Sequence, residues 1–518
     1  MFIFISMTMR RSRNTICLAL VLVPVLFHSA GAQTDWTKVH DLTIRGIDKL
    51  YNLDLEESER TFDEVIRMAP KDPRGHFFKS MIYYWVFNLT KDEQAYKKFF
   101  DLSEKVIELC EKELDEDENN GAAKYYLGGM YGFRGLAYQR NGSIFSAAWD
   151  GRKGYSYLKE ATKNSPEVYD AQMGFGLFNY LTAKVPKAFR WILSLLGFSG
   201  DVEGGLESLR IAAEKGTYAR NEATFFLAQF LFWENREDEA HKYLNRLLDK
   251  YPDNPLFLLT LATWELRKDN AESALVLAKK AVSINARRKI QYGDEIAYGV
   301  LSTCYFLKND FENARKNLDL AIQKTENRQN VSNTTYYRLG VCQEILGERE
   351  KAVSTYKQMR EVDMDKNPWD YQTYRLGQKR LATAIDERDI LVIKAGNSVS
   401  LTDYETAKSL YKTVLSDPKT NVDQRALAFY GLMQIYYDHE LYNEVLTTGS
   451  HLMALNPPHE KWLIPHGRFR LGQTYAKLGR TAEARREFDA IDDYDDYDFQ
   501  ARLESRVEDE MKKLEGVN

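Results

Sequence analysis

The chain has 518 residues, 28% charged and 44% hydrophobic, with a formal net charge of −5. That is enough material for several domains or one extended array, and the balance excludes the concentrated basic face that nucleic-acid phosphates require. Glycine and proline are modest, whereas tyrosine (32) and phenylalanine (26) are plentiful, as suits rings that fill gaps between packed helices.

The first element is a leader. Basic "MRRSRN" precedes apolar "TICLALVLVPVLF", and Ala30-Gly31-Ala32 stand before Gln33. This order predicts a signal peptide over 1–32 and an exported chain. Cys17 lies at the wrong end of the apolar run for lipid attachment. The leader holds Arg10, Arg11 and Arg13 and no acidic residue, so the remainder carries about −8. Three scattered cysteines follow, Cys110, Cys304 and Cys342, too few and too far apart for a disulfide framework or a paired metal site. Buried helix-packing thiols are expected.

Residues 33–215 read as a divergent helical-repeat region. "SERTFDEVIRMAP" supplies Ser58, Phe62, Val65 and a closing Pro70, and "KYYLGGMYGFRGLAYQ" carries Leu127 and Gly128 in first-helix register. "GYSYLKEATKNSP" gives Gly154, Leu158, Ala161 and Pro166, with Gly176 ten residues later. The next small residue is due at 188 but comes at Gly205, followed by Leu209 and Ala212, an excess of 17 residues. An insertion over 184–204, between the two helices of one hairpin, is therefore expected. Its glycines (197, 200, 204, 205) match no G-x-x-x-x-G-K-[ST] and follow no strand, so phosphate binding is excluded. Val185, Phe189, Ile192, Leu193 and Leu196 share a helical face beside Lys184, Lys187 and Arg190. Such a helix can meet a membrane or a partner through Phe189, Trp191, Ile192 and Leu196. Its shortness, with Trp191 and Leu195 outside the stripe, favours a plug packed on the solenoid.

From 216 to 490 one unit recurs: a leucine and a small residue, a second small residue twelve positions on, then apolar positions four and seven beyond. Ala228, Ala240, Leu244 and Leu247 form one copy, and Ala262, Ala274, Ala278 and Ala281 the next. Ala240 and Ala274 are 34 apart, the length of a tetratricopeptide repeat. Further pairs are Ser302 with Ala314, Gly340 with Ala352, Met433 with Val445, and Gly472 with Ala484, while "YRLG" or "FRLG" marks Gly340, Gly377 and Gly472. A second insertion, about 18 residues including "ERDILVIKAGNSVS", is expected between Gly377 and Ala407. Small residues let antiparallel helices approach, and no hairpin buries its face alone, so stacking supplies the core. The prediction is all-α: a right-handed superhelical tetratricopeptide-repeat solenoid of antiparallel helix pairs. Residues 491–518 read as an acidic turn, solvated, and a capping helix. "DAIDDYDDYDF" lacks the glycine and terminal Glu of an EF-hand. His439, His451, His459 and His466 include no i, i+4 pair. No G-x-S-x-G or H-E-x-x-H occurs. The expectation is a non-enzyme with no cofactor and no metal.

"GFGLFNYLTAKVPKAFRWILSLLGFSGDVEGGLESL", with "AAWDGRKGYSYLKEA" upstream, resembles the family of tetratricopeptide-repeat protein thirty-nine and the fungal inclusion-body-clearance proteins. The match is specific over about residues 120–215 and generic beyond. The resemblance implies a helical-repeat, non-enzymatic scaffold. Members are intracellular and linked to scaffolding, protein turnover and lipid-associated compartments; this chain departs from them in carrying an export leader.

Registered on the small residue, the position after it reads Gln229, Thr263, Thr303, Val341, Gln378, Gln434 and Gln473; three before it stand Phe225, Leu259, Gly299, Tyr337, Tyr374, Tyr430 and Phe469. The two columns are i, i+4 and share a face. Amides suit a peptide backbone and rings its side chains. The plainer alternative is interhelix packing for the rings and solvation for the amides. The expected function is an exported, periplasmic or cell-envelope scaffold binding a protein or peptide segment on its concave face. The candidate residues are Phe225, Gln229, Tyr337, Tyr374, Gln378, Tyr430, Gln434, Phe469 and Gln473. The alternative is a carbohydrate or envelope-polymer binder, which would want exposed rings flanked by carboxylates.

Overall fold

The computed structural model describes residues 34–164, 168–185, 200–288, 291–325, 328–364 and 366–515. The leader over 1–32 lies outside them, as do Phe189, Trp191, Ile192 and Leu196. Among the described residues there are 24 α-helices and no strand, the all-α solenoid of antiparallel pairs that the repeat predicts. None of these helices is long and apolar enough to cross a membrane.

The hairpins, in order, are α1 (Trp36–Tyr51) with α2 (Leu55–Met68), α3 (Arg74–Thr90) with α4 (Glu93–Glu116), and α5 (Gly121–Arg140) with α6 (Ile144–Asn164). Then come α7 (Ala171–Ala183) with α8 (Val202–Lys215), α9 (Arg220–Trp233) with α10 (Glu237–Lys250), and α11 (Pro255–Arg267) with α12 (Ala271–Asn285). They are followed by α13 (Asp294–Leu307) with α14 (Phe311–Lys324), and α15 (Asn333–Ile345) with α16 (Arg349–Tyr356). After the single helix α17 (Pro368–Ala382) stand α18 (Glu387–Ser400) with α19 (Tyr404–Ser416), α20 (Val422–Asp438) with α21 (Tyr442–Met453), and α22 (Leu463–Lys477) with α23 (Thr481–Asp489). α24 (Gln500–Leu514) closes the array.

The register residues explain the pairing. Ala228, Ala240, Ala262, Ala274, Ala314, Ala352 and Ala484 are all fully buried at the crossings. Hairpin turns reverse through one left-handed residue, such as Asn235 (φ 58°), Asp269 (φ 58°) or Gly479 (φ 72°). The next helix is often capped at once: the Asn270 and Asp310 side chains accept the backbone N–H groups of Ser273 and Asn313. In the α7–α8 hairpin the crossing needs glycine on both sides. A Cβ on Gly176 would lie 2.8 Å from the Gly205 carbonyl oxygen, and one on Gly205 2.8 Å from the Tyr180 nitrogen. The pair therefore closes across the long chain between Ala183 and Val202.

The second expected insertion resolves differently. α18 pairs with α19 through Ala395 and Ala407, both fully buried and twelve apart. "ERDILVIKAGNSVS" is thus a first helix, and α17, which carries Gly377, is a supernumerary helix with no second partner. The twelve-residue spacing that lets two helices touch is met from Ala395, and from Gly377 it is not.

First helices of neighbouring hairpins touch at many joints, including α1–α3, α3–α5, α11–α13, α18–α20 and α20–α22, whereas successive second helices do not meet to that extent. The first helices therefore form the inner, more tightly curved layer. At α13 the layer passes to α18: Asn397 Nδ2 donates to the Phe306 carbonyl at 2.8 Å and to Asn309 Oδ1 at 2.9 Å. Cys110, Cys304 and Cys342 are all buried and unbridged.

Candidate functional site

Four of the nine candidate residues come together on the inner face of α20 and α22. Tyr430 meets the Trp462 ring edge-on at 5.2 Å. Phe469 is buried against Phe488 at 5.7 Å on one side and covered by the Arg506 guanidinium at 4.5 Å on the other. Between these rings lies Arg470. It donates to Gln473 Oε1 at 3.0 Å and to Gln434 Oε1, and lies over the Tyr437 ring at 4.1 Å. Gln473 Nε2 in turn donates to Glu510 Oε1 at 3.2 Å. The two amides are thus arranged around one guanidinium, whose buried Nε has no hydrogen-bond partner.

The patch is electropositive. Burial, then the charges of Arg470 and Arg502, depress the Arg506 pKa. Burial and the same arginines, Arg506 first, push His466 down to about 4, so its ring is neutral at ordinary pH. Rings, amides and crowded guanidinium groups thus share this face.

The other five candidates lie elsewhere. Phe225 is a core ring, 5.4 Å from Phe257, and Gln229 is half-buried one turn on. Tyr337 is half-buried 6.2 Å from Tyr356. Tyr374 and Gln378 belong to α17; Tyr374 rests on the small core between Phe306 and Met359, and Gln378 is exposed.

Sequence reasoning missed the arginines, although their signal stood in the motif already singled out. "YRLG" and "FRLG" place Arg338, Arg375 and Arg470 two before the small residue. Arg338 Nη1 donates to Thr303 Oγ1 at 2.9 Å, and burial lowers its pKa. Arg375 does something else. Its Nη2 lies 2.6 Å from Asp498 Oδ2 and 2.9 Å from Glu460 Oε2. Further along α17, Lys379 Nζ is 3.1 Å from Asp423 Oδ2, and Arg380 Nη1 2.7 Å from Asp389 Oδ2. The four acids stand at or just before the starts of α18, α20, α22 and α24, where the helix dipole also favours negative charge. Asp498 comes from the acidic run expected to be solvated; it is 4% exposed because it clasps Arg375. Burial alone would raise the Asp389 pKa, yet its bond to Arg380 holds it below the ordinary value.

A second concavity lies in the N-terminal half. A cavity of about 650 Å³ opens between α3, α5, α6 and α7, lined by rings and aliphatic side chains such as Phe78, Met81, Leu177 and Phe178, with Glu222 and Asp170 among its few polar groups. Asp170 is spent on loop closure, accepting the N–H groups of Thr217 at 2.7 Å and Ala219 at 2.9 Å. Glu222 accepts from Trp85 Nε1 at 3.4 Å and faces the Tyr51 hydroxyl, and burial pushes its carboxyl up to about 7. Among the described residues no group of three or more His, Cys, Asp or Glu side chains could hold a metal ion.

Among solved structures the chain is similar to PilF of Pseudomonas aeruginosa (15% identity, 49% of this chain and 98% of that one, TM-score 0.35). It is also similar to a tetratricopeptide repeat protein from Parabacteroides merdae (12%, 58% and 97%, 0.30) and to yeast Tom70 (13%, 93% and 97%, 0.26). The family model of Iml2/tetratricopeptide repeat protein 39 matches residues 86–366. That is more than half of the chain, from α3 to the segment before α17, and the chain belongs to the Iml2/tetratricopeptide repeat protein 39 family.

Proposed function

We propose that this protein is an exported, non-enzymatic scaffold that holds an extended segment of a partner protein on the inner face of its C-terminal repeats. Its family and fold are those of protein–protein interaction scaffolds. The carrying observation is Arg470, set between Gln434 and Gln473 and flanked by Tyr430, Tyr437 and Phe469. The guanidinium groups of Arg470 and Arg506 suit an acidic side chain or a terminal carboxylate, the amides suit its backbone, and the half-buried rings of Tyr430 and Tyr437 its neighbouring side chains, while Phe469 is a core ring beneath Arg506. The rings are half-buried or buried and lie beside arginines, which favours a peptide over a sugar chain. The leader at 1–32 supports export to the periplasm or cell envelope.

The test is a crosslinking pull-down from envelope extract with the native chain and an Arg470→Gln, Arg506→Gln variant. A partner captured by the native bait and lost with the variant supports the inner-face reading, and equal capture by both sinks it. Fractionation of cells expressing the chain with and without residues 2–32 tests export: without the leader the protein should remain inside.

A further inference from the structure

The glycines of α5 and α6 divide into two kinds. Gly128, Gly135 and Gly154 sit where the two helices cross, and a Cβ on any of them would come within 2.8–3.0 Å of the facing helix. Packing explains those three. Gly132 and Gly151 are different: a Cβ on either would meet nothing within 4 Å. Glycine inside a helix costs about 1 kcal/mol against alanine, and at these two positions neither a close crossing nor a positive φ requires it. Both line the 650 Å³ cavity. Their missing side chains enlarge it.

The rest of the cavity has the composition of a small-molecule site. Its volume falls in the range of such pockets, its walls are mostly apolar, and few polar groups converge on it. Glu222, 7% exposed, is the buried carboxyl of the wall that is not consumed by backbone donors: Trp85 and Tyr51 leave part of its acceptor capacity, whereas Asp170 accepts from the Thr217 and Ala219 N–H groups. Ile144, at the rim, is 48% exposed, and Phe145 and Trp149 on the same helix are 75% and 60% exposed. Of the three, Ile144 lines the cavity and adds an exposed apolar side chain to an apolar interior.

We propose that this cavity is a binding site for an uncharged amphiphile, an elongated apolar body ending in a hydroxyl group that donates to Glu222. A carboxylate-headed ligand of the same length is disfavoured, since its head would face Glu222 and Asp170, and the lining cation Lys184 is paired with Glu234 at 2.6 Å. This site is separate from the C-terminal inner face and does not rest on the peptide reading.

The experiment is a competition on the full-length chain, with 1-aminoanthracene fluorescence as reporter and 1-dodecanol and dodecanoate as competitors. The alcohol should displace the reporter at least tenfold more effectively than the carboxylate. A Gly132→Leu, Gly151→Leu variant should weaken dodecanol at least tenfold while keeping or raising the thermal midpoint, because the new side chains enter open space. Glu222→Gln should narrow the gap between the two competitors. Failure of both competitors, equal displacement by both, or a fall in thermal midpoint of the double variant would each overturn the proposal. So would binding seen only after deletion of residues 186–199, which would assign the cavity to the chain's own segment.

Discussion

From Ile47 to Trp264 most of the buried apolar side chains form one continuous cluster, rich in stacked and edge-on rings such as Tyr180 on Phe230 at 3.8 Å and Phe232 on Trp264 at 4.3 Å. From Ala395 onward the cores are small and separate, one around Tyr411 and Ala428, another around Met433 and Leu452, a third around Phe469 and Phe488. The same hairpin is thus stabilised in two ways. In the first half a hairpin loses its core if its neighbour leaves; in the second each joint contributes its own increment, as in a one-dimensional stack. The large cavity lies inside the continuous core, and the candidate peptide face lies on the parcelled one. Local opening should therefore be rarer around the cavity and more frequent at the C-terminal joints.

The comparison can be broken at several points. Phe99 is fully buried among Tyr84 and Phe100. Phe99→Ala should cost about 3–5 kcal/mol, read by urea titration, while hydrogen exchange in α20 and α22 stays unchanged. Equal acceleration in both halves would show that the solenoid unfolds as one unit. Glu222→Gln comes next. The ordinary carboxyl value is 4.5 and the folded one about 7, so the unfolded chain ionises first as pH rises. The stability this group contributes is full below about 4.5 and is lost as pH rises through about 7, up to about 3 kcal/mol. Thermal melts should show the native chain falling over that window and the variant staying level, and parallel curves would refute it.

Gly205→Ala should destabilise by about 1–3 kcal/mol, because the added carbon meets the Tyr180 backbone nitrogen at 2.8 Å. Near-native denaturation would mean that α7 and α8 part readily. The smallest effect is expected from Asn421→Ala, which removes a capping box with Gln424. About 1 kcal/mol should be lost, and in the parcelled half it should appear as faster exchange confined to α20 and its neighbours.

The hairpins were legible in the sequence wherever both partners of a crossing are small and a leucine precedes the first, as with Leu227-Ala228 and Leu261-Ala262. Gly176 and Gly205 were legible across a long intervening chain because the crossing tolerates nothing larger. Ala395 escaped notice because lysine, not leucine, precedes it, while Leu376-Gly377 imitates the signature on a helix that lacks a second partner. At the candidate site the amide and ring columns could be written down in advance, but Arg470 could not be separated from any solvated arginine. Its meaning depends on Gln434 and Gln473, which are brought to it from different turns and different repeats. Nor could Gly132 and Gly151 be told from packing glycines, since open space leaves no mark in a sequence.

The cations of α17 have a mechanical consequence. A stack of hairpins joined by small contacts behaves as a spring, whose pitch changes when each joint yields slightly. Arg375, Lys379 and Arg380 tie one rigid helix to acids belonging to four successive inner helices. Across α18 to α24 the spacing of those helices is thereby tied to the length of α17, and stretching the stack would uncover buried, unpaired carboxylates. Over that span the solenoid serves as a ruler, offering any segment laid along it a fixed distance between successive points of contact.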